Sequence, residues 1–172
     1  GLPDAYLDAV MNARSHEVLV EAYVEGTHIT VDGCFDQNGT HHNLAVASKK
    51  IIPGDRPVIV EVVYPAEISD QQRSDVLLAN DAVIAAIGMR SGLSHSEYII
   101  DSQGRVFLVE TANRGGGVLT SARIIPAVCG VNVSELLVAN ALKQPFDVAP
   151  RAAGGHVMLL FLVFAPGTVL RI

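Results

Sequence analysis

Two glutamates, Glu97 and Glu110, lie on neighbouring strand-like segments, and their spacing predicts chemistry more directly than that of any other residues. A turn at residues 101–104 (DSQG) separates the segments, and a hairpin closing symmetrically about residues 103 and 104 places the two glutamates opposite each other. Opposite residues share a face of the sheet, with Cβ atoms about 4.5–5.5 Å apart. Two carboxylates that close repel each other in an apolar setting unless one is protonated or a cation lies between them. Oxygen ligands at this spacing suit Mg²⁺, which uses one or two carboxylates plus substrate phosphates.

Two alternatives to a metal site stay open at this point. In the first, the strand register differs by one residue and Glu97 faces solvent. In the second, the paired carboxylates hydrolyse a glycoside, which needs a separation of about 5–9.5 Å and a sugar-binding cleft. The chain contains no Trp and only 5% aromatic residues, so the sequence offers no aromatic platform for a sugar.

Arg114 and a glycine triplet at residues 115–117 follow the second glutamate. Arginine is suited to bidentate recognition of a carboxylate or a phosphate. A glycine triplet alone is more often a flexible loop, but glycines also let backbone N–H groups approach an anion closely. The pattern Glu-x-x-x-Arg-Gly-Gly-Gly beside a second glutamate therefore predicts a metal-bridged phosphate with an acyl group held alongside.

His95, His41 and His42 lie on predicted strands. His95 alternates with Glu97, so it either supports that carboxylate by a hydrogen bond or has a purely structural place in the sheet. His41 and His42 follow a turn and are expected to be solvated, because no cysteine or acid accompanies them at ligand spacing.

The hydrophobic pattern predicts an α+β fold with a mostly antiparallel sheet and flanking helices. The longest helix is expected to begin at a capping box formed by Ser69 and Gln72 and to end at Gly88. A tight turn is expected at Asn38-Gly39. The predicted strands cover residues 17–24, 27–35, 41–48, 58–63, 94–101, 105–112 and 155–164, and the other helices cover residues 2–13, 121–128 and 133–142.

The composition excludes several classes of protein. Of the 172 residues, 49% are hydrophobic and 17% are charged, which is enough apolar material for a core and excludes disorder. A net charge of -6 without a run of Lys or Arg argues against nucleic acid and membrane as partners. The longest apolar run, residues 157–165, is too short to span a bilayer. Because Cys34 and Cys129 read as buried free thiols and no signal peptide opens the sequence, we expect a cytoplasmic protein.

These motifs together resemble the ATP-grasp superfamily, in particular its carboxylate–amine ligases and the carbamoyl-phosphate synthase large chain. Residues 18–26 (VLVEAYVEG) are similar to the hinge whose backbone holds adenine. Residues 92–98 (GLSHSEY) and 108–117 (LVETANRGGG) are similar to the two strands that carry the metal-binding glutamates. The resemblance covers about residues 15–142 and implies the large subdomain of that fold.

The resemblance implies a nucleotide site in the first half of the chain. Glu21 and Val24 would offer a backbone carbonyl and an N–H group to the adenine of ATP, and Tyr23 would flank the base. His28 stands where many relatives carry an acidic residue for the ribose hydroxyls, so it either binds the ribose through a neutral nitrogen or marks an altered ribose site. Lys49 falls where the family often keeps a basic residue near the phosphates, and a solvated loop lysine is the alternative.

The resemblance also implies the metal, the substrate and the reaction. Glu97 and Glu110 would ligate Mg²⁺, with Mn²⁺ as the alternative ion, and Arg114 would hold a carboxylate substrate or its acyl phosphate. The implied enzyme is an ATP-dependent ligase that activates a carboxylate as an acyl phosphate for attack by an amine. Ala112 stands where many relatives have Asn two residues after the second glutamate, so the third metal ligand stays open. His28 and Ala112 favour the alternative of a non-catalytic nucleotide-binding or scaffold domain.

The resemblance finally implies how the chain is organised. Residues 1–150 are expected to be a partial ATP-grasp domain, and residues 151–172 the start of a C-terminal segment. The N-terminal domain and the lid subdomain of the family have no counterpart in this sequence, so we expect these residues alone to be inactive. The expected partners are a small carboxylate, an amine and the rest of the same chain, with a homo-oligomer as a further arrangement.

Overall fold

The computed structural model describes residues 1–52, 58–149, 155–163 and 167–168. It confirms the α+β prediction, since helices flank a sheet in which every strand pair is antiparallel. In chain order the elements are α1 (Leu2–Asn12), β1 (Thr27–Phe35), β2 (His41–Ile52), β3 (Val58–Tyr64), α2 (Asp70–Ala86), β4 (Leu93–Ile100), β5 (Val106–Ala112), a π-helix (Thr120–Ile124), α3 (Ile125–Cys129), α4 (Val133–Ala141) and β6 (Val157–Leu160).

The sheet runs in the order β5-β4-β1-β2-β3-β6 across the part of the chain that the structure describes. β1 is central because it pairs with β2 on one side and with β4 on the other. Residues 29–35 of β1 are all buried, and successive side chains of a strand point to opposite faces, so both faces of β1 are covered along these residues. Residues of β1, β2 and β4 that share a face therefore lie side by side in the middle of the sheet.

Helix α2 covers one face of the sheet. Its Val76 and Ile84 are buried, and Val76 packs with strand residues such as Val31 and Tyr98. The predicted capping box is confirmed, because Ser69 Oγ accepts a hydrogen bond from Gln72 N at 3.2 Å while the Gln72 side chain accepts one from Ser69 N at 3.0 Å.

The π-helix, α3 and α4 cover part of the opposite face. These helices pack against Ala45 and Ala47 of β2 through Ile125, Cys129 and Leu136. Between the two alanines, Val46 points to the opposite face and packs in the cluster that includes Val76 of α2. Pro126 lies at the start of α3, where its missing N–H costs no hydrogen bond. The single helix predicted over residues 121–128 is therefore two short elements. The described residues leave the rest of this face uncovered, and the candidate site lies there.

The predicted strand over residues 17–24 is wrong. Residues 17–25 have no regular structure, and Leu19, Val20 and Tyr23 are 80%, 68% and 89% exposed. The β-branched and aromatic composition indicated a strand, but a strand also needs a backbone partner, and the described residues supply none here. The final strand is shorter than predicted, since β6 covers Val157–Leu160 and residue 164 lies outside the described residues.

Other local predictions agree with the structure. Gly39 and Gly88 have φ values of 78° and 70°, as a tight hairpin turn and a helix stop require. Among the described residues, no single helix is long and apolar enough to cross a membrane. Taken together, the helical segments Thr120–Cys129 and Val133–Ala141 have the length and composition of a membrane span, but they meet at a bend of 108°.

Candidate active site

The β4–β5 hairpin places Glu97 directly opposite Glu110, as the sequence predicts. A hairpin symmetric about residues 103 and 104 would pair Asp101 with Val106. In the structure Ile100 pairs with Val106 instead, so the predicted pairing next to the turn is wrong by one residue. A bulge beside Glu97 takes up the extra residue and restores the expected pair. Because the two glutamates are direct cross-strand partners, the register that would turn Glu97 to solvent is excluded.

Glu97 is a half-buried carboxylate between two cationic side chains. Its Oε1 lies 2.6 Å from Lys49 Nζ and 3.5 Å from His95 Nε2, and the Lys49 side chain is only 7% exposed. The hydrogen bond from His95 outweighs the effect of burial and, with Lys49, lowers the pKa of Glu97 to about 2. Glu97 is therefore ionised at neutral pH and available to a cation. Lys49 is not a solvated loop lysine.

His95 is held from its other nitrogen by Asp32 of β1. The His95 Nδ1 to Asp32 Oδ1 distance is 2.8 Å, and Tyr64 Oη donates a hydrogen bond of 3.0 Å to Asp32 Oδ2. Burial alone lowers the pKa of His95, but the hydrogen bonds with Asp32 and Glu97 raise it to about 9. His95 is consequently an imidazolium at neutral pH that bridges two carboxylates.

The glycine triplet lies over this buried pair. A Cβ atom built on Gly116 would be 2.9 Å from Asp32 Oδ1 and 3.0 Å from His95 Nδ1, so only glycine fits without a shift. A Cβ atom on Gly117 would meet nothing within 4 Å. Before the triplet, the Arg114 guanidinium is 55% exposed, donates a 3.0 Å hydrogen bond to the Gly115 carbonyl and lies 3.9 Å from Glu110 Oε1.

A cavity of about 520 Å³ opens on this face of the sheet. Lys49, Glu97 and Arg114 form its charged side. Thr30 also lines it, and the buried Thr30 Oγ1 has no hydrogen-bond partner among the described residues. The facing wall is apolar and consists of Ile59, Val62, Leu159 and Phe161. A ligand that fills the cavity thus meets charge at one end and apolar side chains at the other.

The structure does not bring all the predicted nucleotide residues to this cavity. Glu21 and Tyr23 are exposed on the irregular segment, and neither they nor Val24 line the cavity. His28 is the direct cross-strand partner of Lys49. Burial, and then the charge of Lys49, lower the pKa of His28, so its ring is neutral at neutral pH. The roles assigned to these residues toward adenine and ribose stay predictions.

The candidate metal ligands are the carboxylates of Glu97 and Glu110. Among the residues that the structure describes, no group of three or more His, Cys, Asp or Glu side chains could hold a metal ion. Glu110 is 56% exposed and lies at the edge strand, beside rather than inside the cavity. A metal ion held here would have to draw its other ligands from water or from a bound substrate.

One sequence-based interpretation needs correction, and one residue near the site is not predicted from the sequence. His41 is not solvated, because its side chain is 10% exposed and its Nε2 is hydrogen-bonded to Ser94 Oγ at 2.8 Å. His42 is more open and pairs with Asp36 at 3.1 Å. Asp32 was left out of the predicted site, although an acid at a core-facing position of an apolar strand was the available signal for it.

The family model described as ATP-grasp domain matches residues 3–122. A search of curated proteins found no match to the chain.

Among solved structures, the L-amino acid ligase from Bacillus licheniformis is similar with a TM-score of 0.65 and 25% identity, covering 73% of this chain and 31% of that one. Biotin carboxylase from Campylobacter jejuni, in its complex with β,γ-ATP, has a TM-score of 0.70 and 18% identity over 90% of this chain and 35% of its own. The biotin carboxylase domain of 2-oxoglutarate carboxylase from Hydrogenobacter thermophilus, a dimer in complex with MgADP, ADP and bicarbonate, has a TM-score of 0.68 and 19% identity over 86% and 32%. The chain thus spans about a third of the length of these structures.

Proposed function

Because the chain belongs to the ATP-grasp family, we propose that it carries the metal-binding side of an ATP-dependent ligase. The proposed enzyme activates a carboxylate as an acyl phosphate and passes the acyl group to an amine. A carboxylate oxygen attacks the γ-phosphorus of ATP, and the bond to ADP breaks. The amine nitrogen then attacks the acyl carbon, inorganic phosphate leaves and the nitrogen loses a proton.

The observation that carries the proposal is the pairing of Glu97 with Glu110 beside a cavity that also holds Lys49 and Arg114. Reactions of this kind need positioned reactants and neutralised phosphate charge more than they need covalent catalysis. In the proposal, Lys49 binds phosphate oxygens and Arg114 holds the carboxylate or its acyl phosphate. The apolar wall faces the remainder of the acid.

The donor set fits a hard divalent ion. Both candidate ligands are carboxylates, and Glu97 already holds a positive charge, the Lys49 ammonium group, against its Oε1. Two protein carboxylates are a usual share for Mg²⁺, whose other ligands are water and substrate phosphates. We therefore propose that Glu97 and Glu110 hold Mg²⁺, with Mn²⁺ as a substitute. When bound, this ion neutralises charge on the phosphates of ATP.

The test is metal-dependent nucleotide binding by the full chain. Calorimetry of ADP binding with and without Mg²⁺ is expected to show a metal-dependent gain that Glu97→Gln reduces at least about 100-fold, because even outer partners of a metal ligand contribute 10–100-fold. Glu61→Gln is the matched control, since Glu61 lies on β3 and lines no part of the cavity. An unchanged Mg²⁺-dependent gain in Glu97→Gln would overturn the metal role.

A second candidate function is nucleotide binding without turnover. It is favoured by the lack of a third protein ligand among the described residues, where Ala112 faces His95 across the hairpin. A protein that binds Mg²⁺ with ATP but releases no ADP with any pair of carboxylate and amine would support this function against the ligase.

We also propose a cytoplasmic protein whose partners are small molecules and the rest of its own chain. Cys34 and Cys129 are buried and free, as in a reducing compartment. Exposed apolar side chains on α1 and the following segment, such as Leu7, Met11 and Leu19, support packing against further protein. A homo-oligomer is the other arrangement that would cover them.

A further inference from the structure

A buried group of three side chains, here called the Asp32 group, connects three strands at the wall of the cavity, which Tyr64 and His95 line. It consists of Asp32 on β1, Tyr64 on β3 and His95 on β4, which are 4%, 2% and 9% exposed. Both oxygens of the Asp32 carboxylate are used, one by the Tyr64 hydroxyl and one by the His95 ring. The carboxylate is thus fixed from two sides and cannot turn without losing a partner.

The Asp32 group continues to the candidate metal ligand. His95 and Glu97 alternate along β4 and project from the same face, so the ring nitrogen that Asp32 leaves unused points toward Glu97. Asp32 fixes the plane of the imidazole through Nδ1, and Nε2 then lies 3.5 Å from Glu97 Oε1. The orientation of the Glu97 carboxylate depends in this way on a residue that does not touch it.

The Asp32 group also supports the glycine triplet. The Gly116 backbone rests on the Asp32–His95 contact so closely that an added Cβ would fall within about 3 Å of both side chains. Val118 and Leu119 join the triplet to the π-helix, where Thr120 N donates a 3.0 Å hydrogen bond to the Gly117 carbonyl. The position of the buried pair therefore sets the position of the loop.

We propose that Asp32 is a positioning residue that sets both the orientation of Glu97, through His95, and the seat of the glycine triplet before nucleotide binds. A merely stabilising role would not need charge, because replacing a buried ion pair by packed apolar groups is often neutral or stabilising. The part of the proposal that concerns metal rests on the proposed function. The part that concerns the loop does not.

The experiment compares Asp32→Asn with the wild-type chain by two measurements. In the protein without nucleotide, amide hydrogen exchange is expected to become at least about tenfold faster at Thr120, while the Gly39 amide, which donates to the Asp36 carbonyl in a distant turn, keeps its rate. In calorimetry, the Mg²⁺-dependent affinity for ADP is expected to fall about 10–100-fold, while ADP binding without Mg²⁺ changes less than about threefold.

Tyr64→Phe gives a second, milder variant that keeps the Asp32–His95 contact. It removes one neutral donor to Asp32 and is expected to shift both measurements in the same direction by about 2–10-fold. It also keeps the test decisive if Asp32→Asn does not fold.

The outcomes separate this inference from the proposed function. Unchanged Thr120 exchange in a folded variant, or an equal loss of ADP binding with and without Mg²⁺, would overturn the positioning role. If the wild-type chain shows no Mg²⁺-dependent binding while Thr120 exchange still accelerates in the variant, the proposed function falls and the seating of the loop by Asp32 stands.

Discussion

Gly116→Ala is the substitution whose effect follows most directly from the geometry of the site. The new methyl group would lie 2.9 Å from Asp32 Oδ1, 3.0 Å from His95 Nδ1 and 3.0 Å from Thr120 Cβ. Two of these neighbours belong to a buried ion pair and the third begins the π-helix, so none is the loose end of an exposed side chain. The loop must therefore lift, or the ion pair must separate.

The expected magnitude is the difference between two opposing effects. Inserting a methyl group into a packed site costs about 1–3 kcal/mol. Replacing glycine by alanine where the backbone tolerates it stabilises a protein by about 0.4–1 kcal/mol, because the unfolded chain loses freedom. Gly116 does not have positive φ, so packing alone decides the sign. We expect Gly116→Ala to lower the free energy of unfolding by about 1–2 kcal/mol.

Gly117→Ala is the matched control in the same loop. Its Cβ would meet nothing within 4 Å, and Gly117 also does not have positive φ, so this variant is expected to be neutral or more stable by up to about 1 kcal/mol. Urea unfolding of the wild type and both variants measures the difference. Equal stabilities for the two variants would refute the close packing of Gly116 on the Asp32–His95 pair.

Two further predictions concern stability. Burial lowers the pKa of His41 despite its contact with Asp81, so the unfolded chain binds the proton more readily than the folded chain. The free energy of unfolding should therefore fall as the pH drops below about 6.5. His41→Gln should flatten this pH dependence, whereas the control His42→Gln, at a more open position, should retain it. A pH profile unchanged in His41→Gln would contradict the assignment. Ser69→Ala removes the helix cap of α2 and should cost about 0.5–2 kcal/mol in thermal or urea unfolding, whereas Ser74→Ala on the exposed side of the same helix should have almost no effect.

Features fixed by neighbouring residues could be predicted from the sequence. The capping box at Ser69, the turn at Gly39 and the helix stop at Gly88 all depend on contacts within a few residues, and all three agree with the structure. The Glu97–Glu110 pair was also predicted, although the strand pairing next to the turn differs by one residue from the predicted pairing. The bulge beside Glu97 offsets this difference. A bulge of this kind depends on the packing of both strands and has no local signal.

Features that depend on distant partners could not be predicted. Residues 17–24 have the composition of a strand, but composition does not reveal whether another segment pairs with them. Asp32 lies 63 positions from His95, and its importance appears only when the register between β1 and β4 places the two side by side. Lys49 looked like a loop residue because β2 was predicted to end at residue 48, whereas the strand continues to Ile52 and carries the lysine into the site.

The charges of the site support the proposal that a metal ion takes part in the reaction. In the part of the chain that the structure describes, the three cationic side chains named at the site each lie near a carboxylate: Lys49 against Glu97, the His95 imidazolium against Asp32, and Arg114 near Glu110. A triphosphate that enters this balanced site brings several negative charges, and the side chains have no surplus positive charge to meet them. If Lys49 turns to the phosphates, Glu97 loses its nearer cationic partner and keeps only His95, at 3.5 Å, while it faces the negative phosphate groups. A divalent ion held by Glu97 and Glu110 would supply positive charge for both the carboxylates and the phosphates. In the proposed positioning role, Asp32 would act without touching the nucleotide: it holds the His95 imidazolium in place, so the Glu97 carboxylate would keep its position whether its other partner is Lys49 or a metal ion.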